Sequence, residues 1–200
     1  MTRIIAGTAG GRRLAVPAGQ GTRPTSDRAR EGLFGTVTAI RGTLRGATVL
    51  DLYAGSGAVG LEALSRGAAD VLLIEADGRA IRVIRDNIAA VGLPGARVLA
   101  GRVEHALARG PGNGRPRDVV FADPPYATAG EQVSAMLAAL LAGGWLAPAA
   151  VVAVERATRS GPLPWPPGYT ADRARRYGEA TLWYGRAAGT VPAEVPPVVP

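Results

Sequence analysis

The sequence contains no cysteine and no lysine, and it has a single histidine among 200 residues. A chain without cysteine forms neither disulfide bonds nor thiolate metal sites, and one histidine argues against a zinc site. Any catalysis must therefore proceed without a thiol, and we expect it to proceed without a metal. The N-terminus also lacks the charged and apolar segments of a secretory signal, so we expect a cytoplasmic protein.

A hydrophobic run of membrane length is also missing. Residues 132–154 carry no formal charge, but Gly143, Gly144 and Pro148 divide the run, and its second half is β-branched. This pattern predicts a buried helix, a turn and a buried strand, and we expect no membrane partner. The length and the 47% hydrophobic content suit one globular domain with a full core.

Positive charge is concentrated near the N-terminus. The formal net charge of the chain is +7, and residues 1–46 hold eight arginines against two acidic residues. Such a segment is expected to bind a phosphate backbone, although a solvated basic face would have the same composition. The candidate nucleic-acid-binding residues are Arg3, Arg12, Arg13, Arg23, Arg28 and Arg30.

Residues 49–64 begin as an apolar run, break into glycines and continue as a helical pattern. Gly55 and Gly57 allow a sharp turn close to a ligand, and the following helix offers unpaired N–H groups to an anion. This pattern predicts a nucleotide-cofactor cradle, although packing alone also produces it. A second apolar run, residues 71–75, ends in Glu75, where such folds hold a ribose diol.

Residues 118–126 form a third apolar run, and it ends in Asp-Pro-Pro-Tyr. Open α/β sheets keep their chemistry at the carboxyl ends of their strands. Two consecutive prolines fix two φ angles and donate no backbone hydrogen bond, so the segment is a rigid acceptor platform. Asp123 and a neighbouring carbonyl could accept hydrogen bonds from an exocyclic amine, and Tyr126 could stack on the ring that carries the amine.

Apolar strands and helical patterns alternate along most of the chain, which predicts a parallel sheet covered on both faces. A small β-hairpin over residues 3–16 and a helix from Ser26 precede this region. The predicted strands are 47–53, 70–75, 97–100, 118–122 and 150–155, and the helices between them are 58–66, 79–91, 103–109 and 129–142. Residues 169–177 and 180–186 predict an antiparallel hairpin at the sheet edge.

The glycine loop, the acidic strand end and Asp-Pro-Pro-Tyr, in this order, resemble S-adenosylmethionine-dependent methyltransferases that act on amino groups of nucleobases. Residues 23–31 resemble the segment that leads into the catalytic domain of bacterial 16S rRNA (guanine-N2)-methyltransferases, and the resemblance continues to about Arg186. It implies an α/β, Rossmann-like class I methyltransferase fold. Such a fold has a seven-stranded, mostly parallel sheet with an antiparallel edge hairpin, here preceded by the small N-terminal hairpin.

The resemblance also implies a division of the chain into three parts. Residues 1–24 would be a basic RNA-binding extension, residues 25–186 the methyltransferase domain, and residues 187–200 a disordered tail. The cofactor would be S-adenosylmethionine, and the substrate 16S rRNA, bound within a small ribosomal subunit by a monomeric enzyme. The cofactor-binding residues implied are Asp51, Tyr53, Gly55, Ser56, Gly57, Glu75, Arg102 and Val103.

In this scheme Glu75 accepts hydrogen bonds from the ribose hydroxyls, and Arg102 and Val103 flank the adenine. The catalytic residues are Asp123 and Pro124, which would each accept one N–H of the target amine and aim its lone pair, and Tyr126, which would stack on an extruded base. Four alternatives stay open. They are a DNA adenine-N6 methyltransferase, a protein glutamine methyltransferase, an NAD-dependent oxidoreductase with the same glycine pattern, and a non-catalytic RNA-binding protein.

Overall fold

A short hairpin begins the fold. The structure, a computed structural model, describes residues 2–17, 26–112 and 114–188, so Arg23, the loop around it and the tail from residue 189 lie outside the described residues. Strands β1 (Thr2–Arg3) and β2 (Arg13–Leu14) pair antiparallel, as the sequence predicts.

Seven further strands form one sheet. They are β3 (Thr48–Leu52), β4 (Asp70–Glu75), β5 (Ala96–Ala100), β6 (Arg117–Ala122), β7 (Leu146–Ala157), β8 (Tyr169–Tyr177) and β9 (Ala180–Ala187). The strand order is β5-β4-β3-β6-β7-β9-β8. Strands β3 to β7 pair parallel with one another. Strand β9 runs antiparallel to both β7 and β8. The predicted seven-stranded sheet with an antiparallel edge hairpin is confirmed.

In the described residues five α-helices connect and cover the strands, and each lies within two residues of its predicted bounds where these were given. They are α1 (Asp27–Arg41), α2 (Ala58–Ser65), α3 (Gly78–Val91), α4 (Val103–Ala108) and α5 (Gly130–Ala142). Ser26 and Asp77 start α1 and α3, because their side chains accept hydrogen bonds from first-turn N–H groups. No helix in the described ranges is long and apolar enough to cross a membrane.

Two hydrophobic layers cover the sheet. Val49 and Val119 face the layer that α1, α2 and α3 complete, whereas Leu50 and Val120 face the layer that α4 and α5 complete. Successive residues of a strand point to opposite faces, so strands buried on both faces become continuous apolar runs. This is why the parallel strands were visible in the sequence.

Strands β7 and β9 extend beyond their predicted bounds. Strand β7 begins at Leu146, not at residue 150, because Leu146 pairs with Arg117 before the register shifts. Pro148 and Ala149 occupy the irregular stretch, and Ala149 has a φ of 58°. Strand β9 includes Ala187, which is buried and pairs with Tyr169, so the ordered domain extends one residue beyond the predicted boundary.

The N-terminal hairpin is docked on α2 and α3. Ile4 and Leu14 are almost fully buried against Leu61 and Val91. The Glu62 carboxylate, which has no solvent exposure, accepts hydrogen bonds from the backbone N–H groups of residue 5 at 2.6 Å and residue 6 at 3.0 Å. The hairpin therefore has a fixed position relative to the sheet.

Candidate active site

The carboxyl ends of four adjacent strands bring acidic residues together at one edge of the sheet. Asp51 lies in β3, Glu75 ends β4, Asp123 follows β6, and Glu155 lies near the end of β7. In an open α/β sheet this edge is where ligands bind. The sequence predicted roles for Asp51, Glu75 and Asp123, whereas Glu155 was not predicted as a site residue.

The loop between β3 and α2 turns back sharply over the end of the sheet. Tyr53 has a φ of 60° and Gly57 a φ of 77°, both in the left-handed region. The Gly57 carbonyl accepts the first intrahelical hydrogen bond of α2, from Leu61. A Cβ at Gly60 would lie 2.9 Å from a Val71 methyl group, so this glycine allows α2 to pack closely on β4.

Asp51 supports this loop from below. Its side chain is 1% exposed, and its Oδ2 accepts a hydrogen bond from the Gly60 N–H at 2.8 Å. Burial raises the pKa of Asp51 to about 8, with a further contribution from the charge of Glu75, while the bond from Gly60 opposes the shift. A nearby positive charge would favour the ionised form of this carboxyl group.

Glu75 ties the end of β4 to the glycine loop. Its Oε2 accepts the Gly55 N–H at 2.7 Å, and its Oε1 accepts the N–H groups of Ala76 and Asp77 at 2.8 and 2.9 Å. A carboxylate offers about four acceptor positions, so these three bonds leave room for a hydroxyl donor. The contact with a ribose stays a prediction.

A cavity of about 880 Å³ opens beside this loop, a size typical of small-molecule sites. Four of the eight predicted cofactor residues line it: Tyr53, Glu75, Arg102 and Val103. The other four form the loop and its support. The opposite wall consists largely of α4 and α5 and includes Leu107, Gln132 and Met136, none of which was predicted as a site residue.

Within the Asp-Pro-Pro-Tyr segment, Pro125 lines this cavity, whereas Asp123, Pro124 and Tyr126 line a smaller notch beside it. Pro124 is buried, Asp123 is partly buried, and the Tyr126 side chain is 51% exposed. Burial, and after it the charges of Glu155 and Asp51, hold the pKa of Asp123 well above its ordinary value. Within the described residues, no group of three or more His, Cys, Asp or Glu side chains is arranged to hold a metal ion.

The predicted RNA-binding arginines separate into different environments. Arg13 and Arg28 are exposed, and Arg3 is exposed but 3.3 Å from the carboxylate of Asp27. Arg12 donates hydrogen bonds to the carbonyls of Ala90 and Val91 at the end of α3. The last turn of a helix has free carbonyls, so Arg12 also helps to fix the hairpin.

The prediction that Arg30 contacts RNA is wrong for this structure. Its side chain is 1% exposed, and its Nη2 donates hydrogen bonds to Thr2 Oγ1, the Arg3 carbonyl and Asp27 Oδ1. These bonds connect the start of α1 to β1. A guanidinium enclosed by the protein cannot reach a phosphate, so Arg30 has a structural role.

Asn87 connects the hairpin to the glycine loop. The side chain is 2% exposed; its Oδ1 accepts the Ala15 N–H, and its Nδ2 donates to the carbonyls of Ala15 and Ser56 at 3.0 and 2.9 Å. Sequence reasoning missed this residue, because an asparagine in a helical pattern carries no sign of its distant partners. One side chain thus spans the predicted RNA-binding extension and the predicted cofactor loop.

Comparison with known proteins identifies the family. The model of the family described as conserved hypothetical protein 95 matches residues 2–186. Ribosomal RNA small subunit methyltransferase D of Escherichia coli (strain K12) is 37% identical over 194 residues, covering 96% of this chain and 94% of that protein. The chain belongs to this rRNA methyltransferase family. The enzyme of the same name from Haemophilus influenzae is 33% identical over 178 residues, covering 88% of this chain and 89% of that protein.

Solved structures agree with this family. A putative methyltransferase from Escherichia coli, yhhF, superimposes with a TM-score of 0.81 at 35% identity, covering 94% of this chain and 98% of that chain. The Streptomyces viridochromogenes rRNA methyltransferase aviRa, at 20% identity and a TM-score of 0.70, covers 89% of this chain and 90% of that chain and shows the shared fold. The predicted class I methyltransferase fold and the predicted family are confirmed. Family membership decides against the NAD-dependent oxidoreductase.

Proposed function

We propose that this protein transfers a methyl group from S-adenosylmethionine to the exocyclic N2 of a guanine in 16S rRNA. The observation that carries the proposal is the position of Asp-Pro-Pro-Tyr: it follows β6, directly beside the cavity that the glycine loop and Glu75 border. Relatives that cover almost the whole chain are named as rRNA methyltransferases, which supports RNA over DNA and over protein.

The cavity fits the proposed cofactor in its chemistry. S-adenosylmethionine supplies a methyl group on a positively charged sulfur, and it also carries an ammonium group, a ribose diol and an adenine ring. Glu75 and Asp77 on the cavity wall provide acceptors for hydroxyl groups, and Leu107 and Met136 provide apolar surface for a ring. The raised pKa of Asp51 is a further fit, because a cation nearby would stabilise its ionised form.

Asp123 and Pro124 orient the target nitrogen. The amine lone pair of guanine is delocalised into the ring, so it becomes nucleophilic only when its two N–H bonds are held out of the ring plane. The Asp123 carboxylate accepts one N–H and the Pro124 carbonyl accepts the other. Transfer of the methyl group would break its bond to the sulfonium sulfur, leave a neutral thioether and place a positive charge on the nitrogen, which must then lose a proton. A carboxylate with a raised pKa is a suitable acceptor for that proton.

Tyr126 and the basic surface bind the RNA. The base must leave its stack to reach Asp123, and the exposed ring of Tyr126 can stack on it. Arg3, Arg13 and Arg28 can contact phosphates from the hairpin and from α1. The natural substrate is a small ribosomal subunit, partly or fully assembled, and the enzyme acts as a monomer.

The proposal is tested by methyl incorporation from labelled S-adenosylmethionine into small ribosomal subunits from cells that lack this enzyme, followed by nucleoside analysis. We expect labelled N2-methylguanosine with the wild-type protein and none above background with Asp123→Ala. Label in N6-methyladenine, or label on DNA and not on the particle, would contradict the proposal. Binding of the particle without any label would favour the non-catalytic RNA-binding alternative.

A further inference from the structure

Glu155 is a second carboxylate beside Asp123. Ala122 and Val154 are partners in the parallel pairing of β6 and β7, so Asp123 and Glu155 are the next residues on two adjacent strands. In a parallel pair, neighbouring residues in register point to the same face. Glu155 is 5% exposed, and both acids line a notch of about 10 Å³ that Pro124 and Tyr126 also border.

The notch and the large cavity are adjacent. Pro125 and Thr128 line both, one on each side of the same segment. Strands β4, β3, β6 and β7 are adjacent in this order, and they carry Glu75, Asp51, Asp123 and Glu155 respectively. The two acids proposed for the cofactor site therefore lie on one side of Asp123, and Glu155 lies on the other. An amine held at Asp123 therefore has the methyl donor on one side and Glu155 on the other.

The size of the notch limits what it can receive. A volume of about 10 Å³ corresponds to roughly one water-sized probe, so it can hold one polar group from the edge of a base but not the base itself. Arg156 also lines the notch, but its Nη1 donates to the Pro162 carbonyl at 3.4 Å. The two carboxylates that line the notch accept hydrogen bonds unless they are protonated. The notch therefore suits an N–H donor that lies next to the reacting amine.

Guanine and adenine differ at this position. The N2 amine of guanine has the N1–H donor beside it, whereas the N6 amine of adenine has the N1 lone pair beside it. We propose that Glu155 is a specificity-determining residue that accepts the N1–H of guanine while Asp123 accepts an N–H of the N2 amine. This inference rests on the proposed function and names the residue that makes the site select guanine.

The electrostatics of the pair support the assignment. Asp123 and Glu155 repel each other, and this contributes to the raised pKa of Asp123. Two adjacent donors on one base edge match two adjacent carboxylates, because each carboxylate can accept one more hydrogen bond. An acceptor such as adenine N1 would instead leave a buried carboxylate facing a lone pair, and sites built to read a donor reject analogues that lack it by large factors.

The test replaces the target guanine, located by mapping the labelled position in the intact rRNA product, by 2-aminopurine in reconstituted small subunits. This base keeps the 2-amino group but has an N1 acceptor and no O6. A second particle carries 6-thioguanine, which keeps N1–H and changes only the O6 position. We expect wild-type kcat/KM to fall at least about 100-fold with 2-aminopurine and to stay near the guanine value with 6-thioguanine.

Glu155→Gln gives the matching variant, because its amide can donate to the N1 of 2-aminopurine. We expect its preference for guanine over 2-aminopurine to shrink at least about tenfold relative to wild type. Glu179→Gln, at an exposed turn between β8 and β9, is the control and should keep the wild-type preference. Cofactor binding by each variant verifies that it is folded.

Several outcomes would overturn the inference. If wild-type enzyme methylates 2-aminopurine with a kcat/KM within about threefold of the value for guanine, the site does not recognise N1–H. This result does not depend on the folding of any variant. An equal loss on both bases in Glu155→Gln would show a general structural role. If the guanine particle itself acquires no N2-methylguanosine, the proposed function fails together with this inference, whereas methylation without discrimination removes this inference alone.

Discussion

Charged residues are buried in two regions of this protein, and the two regions differ in the charges that surround them. At the N-terminal hairpin, Arg30 and Glu62 are almost fully enclosed, and each binds several groups of the hairpin or of its helices. At the carboxyl edge of the sheet, Asp51, Asp123 and Glu155 lie near one another, and mutual repulsion adds to the pKa shift of Asp123.

The buried charges of the hairpin hold elements of the fold together, whereas those of the sheet edge belong to the proposed active site. A buried charge with several partners in the same chain stabilises one arrangement of the backbone, and its removal leaves those partners unpaired. Buried acids that repel one another lower the stability of the fold, and they are typical of functional sites. We therefore expect substitutions in the hairpin to reduce stability and substitutions at the sheet edge to reduce activity.

Asn87→Ala should produce the largest loss of stability. A stable variant would contradict the expectation that substitutions at the hairpin reduce stability. The variant removes three hydrogen bonds and leaves the buried Ser56 carbonyl and the partly buried N–H and C=O of Ala15 without their partner. At about 1–3 kcal/mol for each unpaired buried group, we expect the free energy of unfolding to fall by about 3 kcal/mol. Denaturant unfolding measures this, with Asp86→Ala, an exposed position on the same helix, as a control that should change little.

Asp51→Asn tests the buried acids of the sheet edge through the pH dependence of the free energy of unfolding. Below about pH 4 the carboxyl group is protonated in both the folded and the unfolded state. Between about pH 4 and the folded pKa of about 8, the unfolded state releases this proton first, so the free energy of unfolding falls as pH rises. We expect wild type to lose about 3–4 kcal/mol more than Asp51→Asn between pH 5 and pH 8. Equal losses in denaturant unfolding would contradict the pKa of Asp51.

Arg28→Gln should have the smallest effect, and it concerns RNA alone. Arg28 is exposed on α1, so its loss should leave the thermal midpoint unchanged. We expect the affinity for the ribosomal particle to fall a few-fold. The slope of log K against log salt concentration should decrease by about 1, because one phosphate contact is lost. Arg30→Gln is the contrasting variant, which should lower the thermal midpoint clearly. Similar behaviour of the two variants would contradict the separate roles of these arginines.

The sequence predicted most of the fold because local signals agreed with each other. Strands β3, β4 and β6 are apolar runs buried on both faces, and Ser26, Asp77 and Gly92 mark helix ends by their own chemistry. Asp123 was found for the same reason, since a strand that ends in Asp-Pro-Pro-Tyr combines a position in the fold with unusual backbone chemistry. Each of these signals lies within a few residues.

The residues that the sequence did not reveal depend on pairing over long distances. Glu155 comes next to Asp123 only when β7 pairs with β6, and Asn87 meets its partners only when the hairpin folds back onto α3. Arg30 belonged to a basic segment by composition, but its place on the inner side of α1 directs it to β1. Charge counted along the chain cannot distinguish an arginine that faces solvent from one that holds two elements together.

The most direct test of the account is the single-turnover rate of methyl transfer for Asp123→Ala, measured with the cofactor affinity of the same preparation. Asp123 is proposed to hold the amine and not the cofactor, so we expect the rate to fall at least about 1,000-fold, or about 4 kcal/mol in the barrier. The dissociation constant for S-adenosylmethionine should stay within about threefold of wild type. A normal rate, or a parallel loss of cofactor binding, would contradict the assignment of Asp123 as the residue that orients the target nitrogen.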